Sequence, residues 1–247
     1  MAESVDAEAV DAATVDAEAV DAVTERVEAV LFDIDGTLID SNYLHVDSWS
    51  RAFHDVGLGV NESDIHHRIG MDSGQLLSSL VGDDDAARLG DEIKRLHARY
   101  YAASAPRLRV FDGARELLAE LDRRGITVVL ATSAPEDELA MLREVLESED
   151  PITAMTSSED VETAKPDPRV VEIALERAGT TANNALFVGD SIWDVQSAAA
   201  AGVATIGVLT GGSTAADLTE AGAVAVYDDV AALLAGLDDS AIAALFS

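Results

Sequence analysis

The chain has 247 residues, 48% of them hydrophobic, enough to bury one large core or a core with an insertion. Its 47 acidic residues against 16 basic ones leave a formal charge of -31, and that field excludes nucleic-acid binding through phosphate neutralisation. Cysteine is absent, which removes disulfides and thiolate metal sites.

Only two of the basic residues, Lys94 and Lys165, are lysines. An acidic, lysine-poor surface suits a cytoplasm of very high salt, where the Debye length falls to roughly 3 Å at 1 M and self-repulsion is screened. A halophilic protein is the expectation, with an acidic protein from a mesophile as the alternative. No basic segment followed by an apolar one opens the chain, and no apolar run approaches membrane-spanning length. The protein is therefore expected to be soluble and cytoplasmic, with no membrane partner; its oligomeric state is not specified.

Residues 1–25 repeat themselves, with VDAEAVDA at Val5 to Ala12 and again at Val15 to Ala22. They carry few large side chains and much charge, so they are expected to form a mobile acidic tail. From Val27 short apolar runs alternate with amphipathic ones. VEAVLF (27–32), ITVVLA (126–131), ALFVGD (185–190), VATIGV (203–208) and AVAVY (223–227) have the near-continuous apolarity of strands buried on both faces. Helices are predicted at 113–125, with Gly125 as a C-terminal cap, and at 135–148, 168–179 and 191–202. This alternation predicts an α/β fold, a doubly wound parallel sheet, whose ligands sit beyond the carboxyl ends of the strands.

One stretch, 41–106, breaks the pattern and reads as helices alone, at 43–57, 63–70, 73–81 and 85–101. It is expected to be a helical cap inserted after the first strand. The core domain would then comprise 26–40 and 107–247.

Chemistry-bearing residues fall where the predicted strands end. Asp33 and Asp35 close the first strand in DIDGT, with Gly36 able to take a tight turn; alone, the pair also reads as acids capping a turn. Thr132 and Ser133 end the second. Lys165 stands in AKPDP, where two prolines restrict the backbone, with a surface lysine as the alternative. Asp190 ends the third strand and Asp194 lies one helical turn further, although Asp190 is equally a helix-capping residue type.

This ordered set, DIDGTL, ATS, AKPDP and GDSIWDV, resembles the four motifs of the haloacid dehalogenase (HAD) superfamily of phosphohydrolases and phosphomutases. The resemblance runs from Val27 to the C-terminus. The helical insert is similar to the subclass I cap of phosphoglycolate phosphatases and beta-phosphoglucomutase. It implies a Rossmann-like core, Mg²⁺ as cofactor and a small phosphorylated metabolite as substrate. By resemblance Asp33 is nucleophile and metal ligand, and Asp35 is general acid and base, offering its backbone carbonyl to the metal. Asp190 is a metal ligand, Asp194 ligates or orients, Thr132 binds a phosphoryl oxygen, and Lys165 offsets charge. Gly36, Thr37 and Ser133 would add phosphate contacts, with backbone amides over 34–37 completing the cradle.

True haloacid dehalogenases expel halide, need no leaving-group proton and lack the second acid, so Asp35 argues against dehalogenation. Tyr43, His45 and Trp49 sit where beta-phosphoglucomutase has a similar EYHFRAW stretch, and His45, a candidate substrate-binding residue, matches its hinge histidine. That enzyme's cap arginine and lysine are matched by Ser73 and Leu96, which favours hydrolysis over transfer. Arg68 is a further candidate substrate contact, with surface placement as its alternative. The adjacent His66 and His67 point apart on a helix and are read as structural, as is Trp193. Gly211-Gly212-Ser213-Thr214 reads as a loop entering a capped helix. The expected activity is that of a Mg²⁺-dependent phosphatase; a phosphomutase and a non-catalytic acidic binding protein are the alternatives.

Overall fold

The computed structural model describes residues 27–242 except 149, 159 and 161–164, so the acidic repeat lies outside the described residues. Strand β1 (Ala29–Phe32) is followed by a short β2 (Ile39–Asp40), and after a helical segment the chain returns through β3 (Arg109–Val110), antiparallel to β2. The strands β4 (Thr127–Leu130), β5 (Ile152–Met155), β6 (Ala185–Gly189), β7 (Ala204–Val208) and β8 (Ala225–Tyr227) join β1 in one sheet. Its order is β5-β4-β1-β6-β7-β8 and every pairing is parallel. β1 lies between β4 and β6, so the ends of three motif-bearing strands meet at the switch in strand order.

The helical segment holds α1 (Asn42–Asp55), α2 (Glu62–His66), α3 (Ser73–Val81) and α4 (Asp83–Ser104). Asp72 caps α3 by accepting from the backbone of Gly74 and Gln75, and Asp83, Asp84 and Asp85 complement the dipole at the start of α4. These helices keep an apolar cluster of their own, built from Trp49, Phe53, Ile65, Leu77, Ile93 and Tyr100.

Helices α5 (Ala114–Arg123), α6 (Glu136–Leu146), α7 (Arg169–Ala178), α8 (Ile192–Ala200), α9 (Ala215–Ala221) and α10 (Val230–Ala235) flank the sheet. Strand alternation decides what each face receives. Val30 and Phe32 of β1 pack with Leu117, Leu142 and Leu233 of α5, α6 and α10, whereas Ala29 and Leu31 pack with Val170 and Ala198 of α7 and α8. Leu117, Leu118 and Leu121 make one fully buried stripe of α5, each contributing roughly 1.5–3 kcal/mol. Gly125 takes φ +75° just past that helix, as its capping role requires.

Three strands were not foreseen in the sequence. β5 is a half-buried edge strand whose ITAM lacks a continuous apolar run, and β2 and β3 are too short to carry a periodicity. The β2–β3 ribbon is nevertheless where the chain leaves and re-enters the sheet layers.

Candidate active site

Asp33 leaves β1 with its backbone N–H donating to Val188 of β6 at 3.0 Å, which ties the motif to the neighbouring strand end. Lys165 donates from Nζ to Asp33 Oδ1 at 2.5 Å and pairs with Asp194 Oδ1 at 2.7 Å. It stands in the turn entering α7 and is 2% exposed. Asp194 is the third residue of α8, whose capping box uses Ser191: the carboxylate accepts on Oδ2 from Ser191 N–H at 3.0 Å and Oγ–H at 2.7 Å. Ser191, not Asp190, is therefore the cap.

Asp190 is freed from capping and held by others. Thr37 Oγ1 donates to Oδ1 at 2.8 Å and Asn42 Nδ2 to Oδ2 at 2.9 Å. The backbone opens around this carboxylate: a Cβ on Gly36 would lie 2.6 Å from Oδ2, and one on Gly211 1.6 Å from it. Thr37 and Gly36 thus serve differently from the substrate contacts expected of them. The Thr37 hydroxyl is spent on Asp190, the Gly36 amide donates to Ile39 O at 2.8 Å, and the Thr37 amide turns back to Ile34 O.

Ligand oxygens of Asp33, Asp190 and Asp194 lie within 4.8 Å of one another. Burial pushes the Asp33 carboxyl up, Lys165 pulls it back and Asp194 and Asp35 raise it again, leaving it at about 7. Burial, then the charges of Asp194 and Asp33, push Asp190 well above the usual carboxylate range. Burial works against the Lys165 ammonium, but Asp194 and Asp33 outweigh it and hold its pKa above the ordinary value. One ammonium cannot neutralise this many buried acids. An all-oxygen donor set with an excess of negative charge fits a hard divalent cation, so these acidic groups could hold a metal ion.

Asp35 faces a second constellation. Its Oδ1 accepts from Ser41 Oγ at 2.5 Å and from Tyr101 OH at 3.4 Å, with His45 Nε2 also at 3.4 Å. The same His45 nitrogen lies 3.3 Å from Glu138 of α6, and its Nδ1 is 3.1 Å from His97 Nε2. Burial alone would lower His45, but Glu138 and Asp35 outweigh it and push the imidazole up to about 10. Burial and the His45 charge keep His97 well below the usual range, so His97 accepts from His45. Burial raises Asp35, but the hydrogen bond and charge of His45 and the Ser41 hydroxyl outweigh it and lower the carboxyl. Both nitrogens of His45 are thereby committed to Asp35, Glu138 and His97, while the residue also lines the cavity that holds Asp33 and Asp35.

Thr132 accepts from the Ala134 amide at 3.0 Å on Oγ1, and its carbonyl is fixed by Thr156 Oγ1 at 2.6 Å. With Ser133 it lines a cavity of about 420 Å³ that also exposes Asp33, Asp35, Lys165 and Asp190. The opposite wall comes from the helical segment, which is docked on the core by the Asp72 amide donating to Lys165 O at 3.1 Å. Arg68 does not line this cavity. Its guanidinium is taken by Ser79 Oγ at 2.7 Å and by Asp64 O at 2.8 Å. His66 donates to Gly211 O at 2.9 Å and stacks on Tyr43, while His67 turns to Ser63 O, so the two diverge. Trp193 packs over Gly70, and Thr214 caps α9 with a capping box.

Sequence reasoning missed Asn42, Glu138, His97, Tyr101 and Gly211. Tyr101, His97 and Lys94 follow helical spacing on α4, a visible signal, but nothing local marks Glu138 or Asn42.

Comparison with known proteins agrees with this geometry. The family model for haloacid dehalogenase-like hydrolases matches residues 30–208. A phosphoglycolate phosphatase of Rhodospirillum rubrum is 32% identical over 215 residues, covering 83% of this chain and 89% of that protein. A phosphorylated carbohydrates phosphatase of Thermotoga maritima is 31% identical over 206 residues, covering 81% of this chain and 94% of its own. The crystal structure of a hydrolase from Pseudomonas syringae aligns with a TM-score of 0.81 at 31% identity, covering 85% of this chain and 98% of that one. Matched along most of its length and carrying the four motifs at one sheet edge, the chain belongs to the haloacid dehalogenase-like hydrolase family.

Proposed function

We propose that this hydrolase is a phosphatase of small phosphorylated metabolites, working with Mg²⁺ through an aspartyl-phosphate on Asp33. The observation that carries the reading is the pairing of Lys165 with both Asp33 and Asp194 beside Asp190, in a cavity that also holds Asp35 and Thr132. Asp33 and Asp190, with the Asp35 carbonyl, would hold the ion. Asp194 Oδ2 accepts from Ser191, whereas its buried Oδ1 faces the Lys165 ammonium without a hydrogen bond, so that residue would either join the ligands or orient them. Bound Mg²⁺ supplies charge neutralisation between an anionic ester and an anionic nucleophile.

The chain's own groups do the rest. A carboxylate oxygen of Asp33 bonds to phosphorus as the ester P–O bond breaks, and Asp35 gives the departing oxygen its proton. Water then attacks the phosphorus of the phosphoaspartate as the Asp33 O–P bond breaks, Asp35 takes that water's proton, and phosphate leaves with the Asp33 carboxylate restored. In the free site His45 keeps Asp35 ionised, the form the second step needs; the charge of an incoming phosphate raises its pKa and readies it for the first. Thr132 has its hydroxyl proton available for a phosphoryl oxygen, and Lys165 offsets the charge of the approaching groups. The two named relatives act, by their names, on phosphoglycolate and on phosphorylated carbohydrates, which brackets the substrate class.

Phosphate release from a panel of phosphomonoesters, with Mg²⁺ and with EDTA, tests the reading. Release should need the metal, vanish in Asp33→Asn and fall by about 10²–10⁴-fold in Asp35→Asn. Metal-independent release, or full activity in Asp33→Asn, would overturn it.

A further inference from the structure

Both lysines of the chain line the same cavity. Lys165 sits among the acids of the core, whereas Lys94 comes from α4 on the opposite wall and is exposed. The other fourteen basic residues are arginines, and several are drawn off to neighbours on their own helices, as Arg88 is by Asp85, Arg95 by Glu92 and Arg123 by Glu120. Lys94 forms no ion pair among the described residues, in a chain with 47 acids. Its Nζ stands 4.0 Å from the point where a Cβ on Gly74 would lie, beside Asp72, whose Oδ1 is committed to the Gly74 and Gln75 amides at 2.9 Å. An uncommitted ammonium on the wall of this cavity is a receptor for an anion.

Helix geometry sets how far that anion is from the chemistry. Lys94, Ala98 and Tyr101 share one face of α4 and all line the cavity, and the Tyr101 hydroxyl is 3.4 Å from Asp35 Oδ1. Seven residues at 1.5 Å each place the Lys94 backbone about 10 Å along the axis from that of Tyr101. Helical side chains lean toward the N-terminus, so Lys94 leans away from Asp35. The same wall carries the apolar Trp49, Met71, Leu76 and Ala98 together with the polar Asp72, Ser73 and His97.

We infer that Lys94 is a specificity-determining residue that binds a second anionic group at the far end of the substrate. The substrate is then a phosphate monoester on a chain of about six carbons ending in a carboxylate or a second phosphate, because a two-carbon ester is too short to meet both ends. The inference rests on the phosphatase reading.

The test is kcat/KM at fixed ionic strength for 6-phosphogluconate, glucitol 1,6-bisphosphate, glucitol 6-phosphate and phosphoglycolate, with para-nitrophenyl phosphate reporting the chemistry without a distal anion. The protein should favour a six-carbon ester with a second anion over glucitol 6-phosphate by about ten-fold or more. That ratio should collapse toward one in Lys94→Met, chiefly through KM, and return in Lys94→Arg. The preferred member identifies the distal group as carboxylate or phosphate. A ratio near one in the unsubstituted protein, a ratio that survives Lys94→Met, or preference for phosphoglycolate over every six-carbon ester overturns the inference. Turnover of para-nitrophenyl phosphate with such a result leaves the phosphatase reading standing, whereas no turnover of any ester overturns both.

Discussion

Asp190 is held in place as much by missing side chains as by its hydrogen bonds. Gly36 and Gly211 leave the space its Oδ2 fills, and Thr37 and Asn42 fix the two oxygens. A methyl group at Gly211 would displace the carboxylate, since the nearest atoms it meets are those of Asp190 and Asn42. Gly211→Ala should therefore raise the Mg²⁺ concentration for half-maximal activity by about 10–100-fold, with the far-UV circular dichroism retained. An unchanged Mg²⁺ requirement would mean that Asp190 does not hold the ion. Thr37 was identifiable in the sequence as a motif residue, but its role was not. Whether its hydroxyl meets substrate or a carboxylate from another strand depends on β1 lying beside β6.

At the scale of elements, helix starts carry the site. α8 begins with a reciprocal Ser191–Asp194 box, and the same Asp194 presents its other oxygen to Lys165. One turn of helix thus fixes both the end of an element and the lysine that faces Asp33. Ser191→Ala should cost about 1 kcal/mol of stability, read as a lower urea midpoint. It should also lower kcat, because Asp194 loses a donor and with it the orientation of Lys165. Lost stability without lost kcat would confine Ser191 to capping. Helices were legible here because each presents an apolar stripe to one face of the sheet, as α5 does with Leu117, Leu118 and Leu121. β5 was not, because an edge strand is buried on too little of its surface to need a continuous apolar run.

For the molecule as a whole, a charge of -31 is a standing cost of compactness. Surface acids repel one another over about 10 Å at 0.1 M salt but only about 3 Å at 1 M. The thermal midpoint should rise by more than about 5 °C between 0.1 M and 2 M KCl, whereas sucrose, which stabilises without screening, should give a smaller gain. A midpoint indifferent to KCl would remove the reading of the surface as salt-adapted. Among the described residues no helix is long and apolar enough to cross a membrane.

The sequence by itself determined the parallel sheet, and it marked a helical stretch after the first strand and the candidate residues Asp33, Asp35, Thr132, Lys165 and Asp190. Strands buried on both faces impose apolar runs, and residues at their ends are marked by position alone. Only the tertiary structure decided that His45 bridges Asp35 and Glu138, that the Arg68 guanidinium is held by Ser79 and Asp64 away from the cavity lining, that Gly211 makes room for Asp190, and that Lys94 joins Lys165 around one space. Those relations join residues far apart in the chain, and side-chain periodicity encodes which face an element buries, not which partner waits there.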